Sequence, residues 1–158
     1  MSIKTGIGQD SHAFETEEQK PLKLGGVLIP DSPGLKGNSD ADVLLHAICN
    51  AISGVSGVPV LGPVTDKMCA AGVINGASYV REALKTLTGY RVTHVSASLE
   101  CRRPKLLPFF PDMRRSIAEI MDLSLEDVAI TATTGEGLTA FGRAEGIQAL
   151  VIVTAEKI

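Results

Sequence analysis

Tryptophan is absent from this 158-residue chain, and aromatic residues supply only 4% of it. Any core must therefore be aliphatic, drawn from a hydrophobic fraction of 44%. Cysteine is scarce as well. Cys49, Cys69 and Cys101 are odd in number and share no CxxC spacing, which excludes a disulfide framework and points to a reduced, cytoplasmic chain. Positive charge is in deficit: the formal net charge is −3 and the pI about 5.6. A broad basic face for nucleic acid is thereby excluded. An anionic substrate would need local cations, from a metal or from a few placed Lys and Arg. The start, MSIKTGIG, lacks the apolar stretch of a signal peptide. The run from Val43 to Val64 comes nearest to membrane length, but His46, Asn50, Pro59, Pro63 and several glycines interrupt it. It reads as a buried helix and a loop, with no membrane partner. No low-complexity tract or repeat is visible, and the length suits one domain over 1–158.

What is present alternates between strand and helix signals. Thr5 to Gln9 reads as a strand leading to Asp10 and His12, which two-residue spacing puts on one side of an extended chain. PLKLGGVLIP predicts a hairpin around Gly25-Gly26, and DSPGLKGNSD a loop. SDADVLLHAICNAISG predicts a helix capped by Ser39, with Asp42 three residues on and Gly54 as the stop. Its core stripe is Leu44, Ile48 and Ile52, while Asp42, His46 and Asn50 form a polar line one turn apart. Val58 to Asn75 reads as a Gly/Pro-rich loop and Ala77 to Leu87 as an amphipathic helix. Arg91 to Glu100 alternates as a strand, Pro111 opens a helix to about Met121, and Val128 to Thr134 is a strand. GEGLTAFGRAEG is a glycine-rich excursion before a last strand, Ile147 to Thr154, apolar on both faces. The predicted class is α+β, a single layer of mixed β-sheet with helices on one face. The doubly apolar last strand implies that partner subunits cover the other face.

Three groups of residues could carry chemistry. Asp10, His12 and His46 offer the ligand types of a catalytic zinc site with one position left open. The plain alternative is that Asp10 caps a turn, His12 is solvated and His46 is a hydrogen-bonded core histidine. A buried histidine needs a partner, and Asp42, one turn earlier, is the expected acceptor that orients His46. In TATTGEGL, Thr133, Thr134 and the amide of Gly135 suit phosphate oxygens, and Glu136 suits Mg²⁺ or Mn²⁺. An ordinary turn with a solvated Glu would look the same. In CRRPKLLP, Lys105 follows Pro104 in a rigid turn and brings charge near an anion, or is simply a surface lysine.

These segments together resemble the 2-C-methyl-D-erythritol 2,4-cyclodiphosphate synthase family. The likeness rests on D-x-H-x-F (Asp10, His12, Phe14), SDADVLLHA (Ser39 to Ala47), PKLLP (Pro104 to Pro108), TATTGEGL (Thr131 to Leu138) and GRAEGI (Gly142 to Ile147), in that order along nearly the whole chain. It implies a homotrimer whose sheets face a threefold axis, with active sites between subunits. It also implies an intramolecular phosphoryl transfer on 4-diphosphocytidyl-2-C-methyl-D-erythritol 2-phosphate that releases CMP. On that reading Asp10, His12 and His46 hold Zn²⁺ and Glu136 holds Mg²⁺ or Mn²⁺. Thr134 steadies the transition state, with Asn38, Ser39 and Lys105 also counted in the catalytic set. Cys101, Pro104, Lys105, Leu106, Leu107 and Thr133 form the cytidine pocket, and Arg143 and Glu145 lie near the axis. Gly62, Asp66, Gly135, Ala140 and Arg143 complete the substrate contacts.

The chain departs from the family pattern at several places. Asn38 stands where a His is common, Val60-Leu61-Gly62 replaces D-I-G, and GPVTDKMCAAG replaces the F-P-D-T-D stretch. Asp66 is the candidate for the acid that stretch would supply, and Ala140 stands where an aromatic is common. A metal-dependent phosphohydrolase, a metal-free trimeric binding module and an inactive family member remain as alternatives to cyclisation.

Overall fold

The protein is described by a computed structural model covering residues 1–158. Its main sheet has four strands in the order β1-β6-β4-β5, where β1 is Ile3–Ala13, β4 Tyr90–Glu100, β5 Val128–Thr133 and β6 Gly146–Lys157. β1 and β4 both run antiparallel to β6, and β4 runs parallel to β5, so the sheet is mixed. The hairpin at Gly25-Gly26 forms as expected from β2 (Pro21–Leu24) and β3 (Val27–Pro33), but as a separate two-stranded sheet. The layer is thus not one sheet. β3 also takes in Asp31 to Pro33, which the sequence reading assigned to a loop.

Helix α1 (Val43–Ser56) lies directly on β1, and two glycines make this possible. A Cβ on Gly6 would fall 2.0 Å from the carbonyl oxygen of Ala51, and one on Gly8 would fall 2.1 Å from that of Ala47. Only backbone bare of side chains lets helix and strand approach so closely. The core of 35 buried residues has Tyr79 as its single aromatic and is otherwise built of aliphatic and sulfur-bearing side chains, as the composition requires. Its inward sheet residues include Val95, Ala97, Leu99, Val128, Ala149, Val151 and Val153. The other face leaves Ile3, Ile7, Leu150 and Ile152 exposed.

Several boundaries differ from the sequence expectation. The cap of α1 is Asp42 and not Ser39, because the Asp42 carboxylate accepts N–H bonds from Leu45 (3.0 Å), Gly25 (2.9 Å) and Gly26 (2.7 Å). One side chain therefore caps the helix and ties the hairpin turn to it. The helix runs past Gly54 and stops at Gly57, which takes the left-handed conformation (φ 76°). The stretch 58–75 is not all loop: α2 (Pro63–Ala70) forms within it, with Pro63 in its first turn. Helix α3 (Gly76–Leu84) starts one residue earlier and ends sooner than expected, capped by the Asn75 side chain. Helix α4 (Phe110–Met121) has Pro111 in its first turn, as anticipated. No helix is long and apolar enough to cross a membrane.

Candidate metal centre and phosphate arm

Asp10 and His12 do not follow β1 but belong to it, and their shared direction aims both at α1. His46 reaches them from the first turns of α1. His12 Nε2 lies 2.8 Å and His46 Nδ1 3.2 Å from the same oxygen, Asp10 Oδ2. One ligand atom from each residue lies within 4.8 Å of the others. A tetrahedral ion with bonds of about 2.0 Å has ligand–ligand edges of about 3.3 Å. The donor set and its spacing thus fit a small divalent cation with oxygen and nitrogen ligands.

The electrostatics favour the same arrangement. Burial raises the Asp10 carboxyl, but hydrogen bonds and charge from His12 and His46 outweigh it and hold the group at about 2. His12 is held above its ordinary value chiefly by its bond to Asp10, against the opposing effect of burial. Asp10 is therefore an anion at neutral pH, the state a metal requires. The His46 ring packs between the His12 ring (centroids 5.7 Å apart) and the Tyr79 ring (5.8 Å apart). Asp42 does not orient His46 as expected: all its recorded bonds go to backbone N–H groups. The contact on His46 Nε2 comes instead from Ser39 Oγ, at 3.4 Å.

The three residues open onto a cavity of about 220 Å³ that Asn38, Ser39 and Asp66 also line. Leu61, Thr65, Cys69 and Tyr79 share this lining and were not singled out from the sequence. The signal for two of them, Thr65 and Cys69, was the Gly62-Pro63 pair, which starts the helix that carries both to the cavity. Gly62 itself does not line the cavity; its N–H donates to Thr65 Oγ1 at 3.0 Å. The Cys69 thiol donates to the Asn38 carbonyl at 3.5 Å and joins α2 to the loop before α1.

The remaining expected residues gather elsewhere. Asp10 pairs with Ala149, Ala149 with Leu99, and Leu99 with Ala132. Thr133 follows Ala132, so three strand spacings of about 4.8 Å part it from the metal cluster, and its side chain points to the opposite sheet face. Here Thr133 Oγ1 accepts the Gly135 N–H (3.2 Å) and Thr134 Oγ1 the Glu136 N–H (3.4 Å). Glu136 is exposed with φ 53°, between two glycines that also have positive φ. Gly135 sits over Glu100, whose carboxylate would lie 2.2 Å from an added Cβ.

The neighbouring turn holds Cys101 by a thiol bond to the Arg103 carbonyl (3.1 Å), and burial pushes that thiol up to about 12. Lys105 and Leu107 are exposed, Pro104 is half-buried and Leu106 is buried. Ala140 is half-buried, and exposed Arg143 pairs with Glu145 at 3.1 Å. A single chain thus gathers the expected residues into two sets and does not bring the sets together.

Fold and cluster define a class: an α+β protein with a candidate divalent-metal centre where its first long helix meets an edge strand. The chain matches the model of the YgbB family over residues 3–156 and belongs to that family. It is 44% identical over 154 residues to the 2-C-methyl-D-erythritol 2,4-cyclodiphosphate synthase of Chlamydia trachomatis serovar L2b, covering 96% of this chain and 86% of that protein. Among solved structures it is similar to the bifunctional IspDF of Campylobacter jejuni (TM-score 0.91, 33% identity), covering 99% of this chain but 43% of that longer one. It is also similar to a 2C-methyl-D-erythritol-2,4-cyclodiphosphate synthase in a CDP-bound form (TM-score 0.84, 30% identity), covering 97% of this chain and all of the other.

Proposed function

We propose that this chain carries out the ring-closing step of isoprenoid precursor synthesis, as a 2-C-methyl-D-erythritol 2,4-cyclodiphosphate synthase. The substrate is 4-diphosphocytidyl-2-C-methyl-D-erythritol 2-phosphate. An oxygen of its 2-phosphate attacks the β-phosphorus, the bond to the α-phosphate bridging oxygen breaks, and CMP leaves with that oxygen. By class this is a phosphorus–oxygen lyase. The observation that carries the reading is the convergence of Asp10, His12 and His46 on one cavity in a chain so similar to proteins of that name.

Phosphoryl transfer needs little covalent help and much positioning. Asp10, His12 and His46 would hold a Zn²⁺ ion, and Glu136 a Mg²⁺ or Mn²⁺ ion; such ions neutralise phosphate charge that this acidic protein does not. Asn38 and Ser39 line the cavity and offer hydrogen bonds to a phosphate there. Asp66, on the same wall, suits the hydroxyls of the erythritol unit. Thr134 and the Gly135 amide face a diphosphate from the other set, with Lys105 supplying a cation. Thr133, Cys101, Pro104, Leu106 and Leu107 would enclose the cytosine, while Gly62, Ala140 and Arg143 shape the edges of the site.

Both sets can serve one substrate only if two copies of the chain meet. A homotrimer with sheets facing a threefold axis achieves this, and it covers the apolar face bearing Ile7, Leu150 and Ile152. Nucleic acid and membrane have no part in this reading. The three free thiols suit a reduced, cytoplasmic setting.

The test is product analysis. Purified protein given zinc, magnesium and the substrate yields the cyclic diphosphate and CMP in equal amounts by phosphorus NMR. Release of inorganic phosphate or a linear diphosphate would instead identify a hydrolase.

A further inference from the structure

The metal reading leaves a gap on His46. A neutral imidazole that gives Nδ1 to a cation carries its proton on Nε2, and that proton needs an acceptor to fix the ring. The Tyr79 and His12 rings flank His46, and Nδ1 faces Asp10. Ser39 Oγ is the one protein hydrogen-bond partner of Nε2, at 3.4 Å.

Ser39 is itself held in place. Its Oγ accepts the Ala41 N–H at 3.1 Å, which leaves one lone pair for His46. The next residue, Asp40, accepts the Asp42 N–H (3.1 Å) and the Gly76 N–H (3.0 Å), and its own N–H donates to the Ile74 carbonyl (2.9 Å). From the other side the Cys69 thiol bonds the Asn38 carbonyl. The short segment 38–40 is thus pinned to α2, to the start of α3 and to the cap of α1. It holds a hydroxyl against the second nitrogen of a buried ring.

We propose that Ser39 is a positioning residue for His46: it accepts the Nε2 proton and so presents Nδ1 to the cation beside Asp10 and His12. With the Nε2 proton and the Ala41 N–H filling both lone pairs, the Ser39 hydroxyl proton is free to turn into the cavity. The same residue that sets the metal ligand would then donate to an oxygen of the bound phosphate. The role of Asp42 is by contrast confined to the cap and the hairpin.

This inference rests on the zinc assignment above, and the experiment separates the two. Zinc affinity is measured on the purified full-length protein by competition with a chromophoric chelator at fixed pH. Wild type, Ser39→Ala, Ser39→Thr and His46→Ala are compared, with circular dichroism confirming that each is folded. The expected result is one zinc per wild-type chain, an affinity about 10–100-fold weaker in Ser39→Ala, and recovery of most of that loss in Ser39→Thr. A proton–nitrogen NMR correlation of the zinc-loaded wild type should also show a slowly exchanging Nε2–H of His46 that Ser39→Ala loses. Should Ser39→Ala bind zinc as wild type does and raise only KM, the hydroxyl is a substrate contact and the positioning role falls. Should the wild type bind no zinc, or His46→Ala bind it unchanged, the metal assignment itself falls.

Discussion

The metal corner and the glycine-rich arm are built in opposite ways. Asp10, His12 and His46 are enclosed between strand and helix, and each already bonds another member of the cluster. Thr133, Thr134 and Glu136 stand on or beyond the open face, and the two threonine hydroxyls accept bonds only from their own turn. The first set is organised by one chain's core. The second is presented outward, ready for a ligand or a neighbouring surface. If the two sets serve one substrate as proposed above, such a division would couple catalysis to assembly, because preorganisation is cheap inside a core and exposed groups gain partners only on association.

That contrast can be broken in a graded series. The largest effect should come from His46→Ala, which removes a ligand of the enclosed set: turnover falls below detection and zinc binding is lost, while size-exclusion chromatography shows the assembly unchanged. Next, Ile152→Asp places a charge on the open face, whose apolar neighbours include Ile7 and Leu150. Sedimentation should show monomers that still bind zinc and have no turnover. Retained turnover in a monomer would refute the division of the site. Glu136→Gln acts on the arm alone. It should raise the Mg²⁺ concentration for half-maximal rate by about tenfold or more, since even outer partners of metal ligands are worth that much, and leave zinc affinity untouched.

Gly8→Ala tests the seam beneath the enclosed set. Its methyl would meet the Ala47 carbonyl at 2.1 Å, so thermal or denaturant unfolding should report a loss at or above the usual ~1–3 kcal/mol of overpacking. The smallest effect is a pH dependence of the metal-free protein. Asp10 is lowered to about 2, so its contribution to stability is complete above its ordinary value near 4 and fades as pH falls toward 2. His12 is raised, so its contribution is complete below its ordinary value near 6.5 and fades as pH rises through the raised one. Melting temperatures of chelator-treated protein should show both limbs, and Asp10→Asn should flatten them.

Much of this was readable beforehand, for identifiable reasons. The hairpin announced itself through Gly25-Gly26, and the alternation from Val95 to Glu100 set the face that β4 buries, while an irregularity between Val92 and His94 breaks it earlier and buries Val92 in place of Thr93. The D-x-H spacing placed two candidate ligands on one side of β1, and His46 stood out as an imidazole in an apolar helix. Helix α2 was hidden because its eight residues pack only Val64 and Met68 as apolar groups against the core and bury the polar Thr65, a pattern with little hydrophobic periodicity. The cap was misassigned because Ser39 and Asp42 both fit the local pattern. What decides is tertiary: the hairpin amides of Gly25 and Gly26 need an acceptor, and only Asp42 reaches them. The same competition explains the partner of His46. The Asp42 carboxylate is turned to three backbone donors and away from the ring one turn on, so a hydroxyl on the preceding loop takes that place.

The bare seam between β1 and α1 has a consequence for how such a centre tolerates change. At Gly6 and Gly8 it is main chain against main chain that sets the height of the helix above the strand. Aliphatic residues deeper in the protein can then be exchanged for one another without altering the gap across which His46 faces Asp10 and His12. The spacing of these three side chains is insulated from drift in the interior, and the lining at Leu61, Thr65, Asp66 and Cys69 is left free to vary around a fixed point.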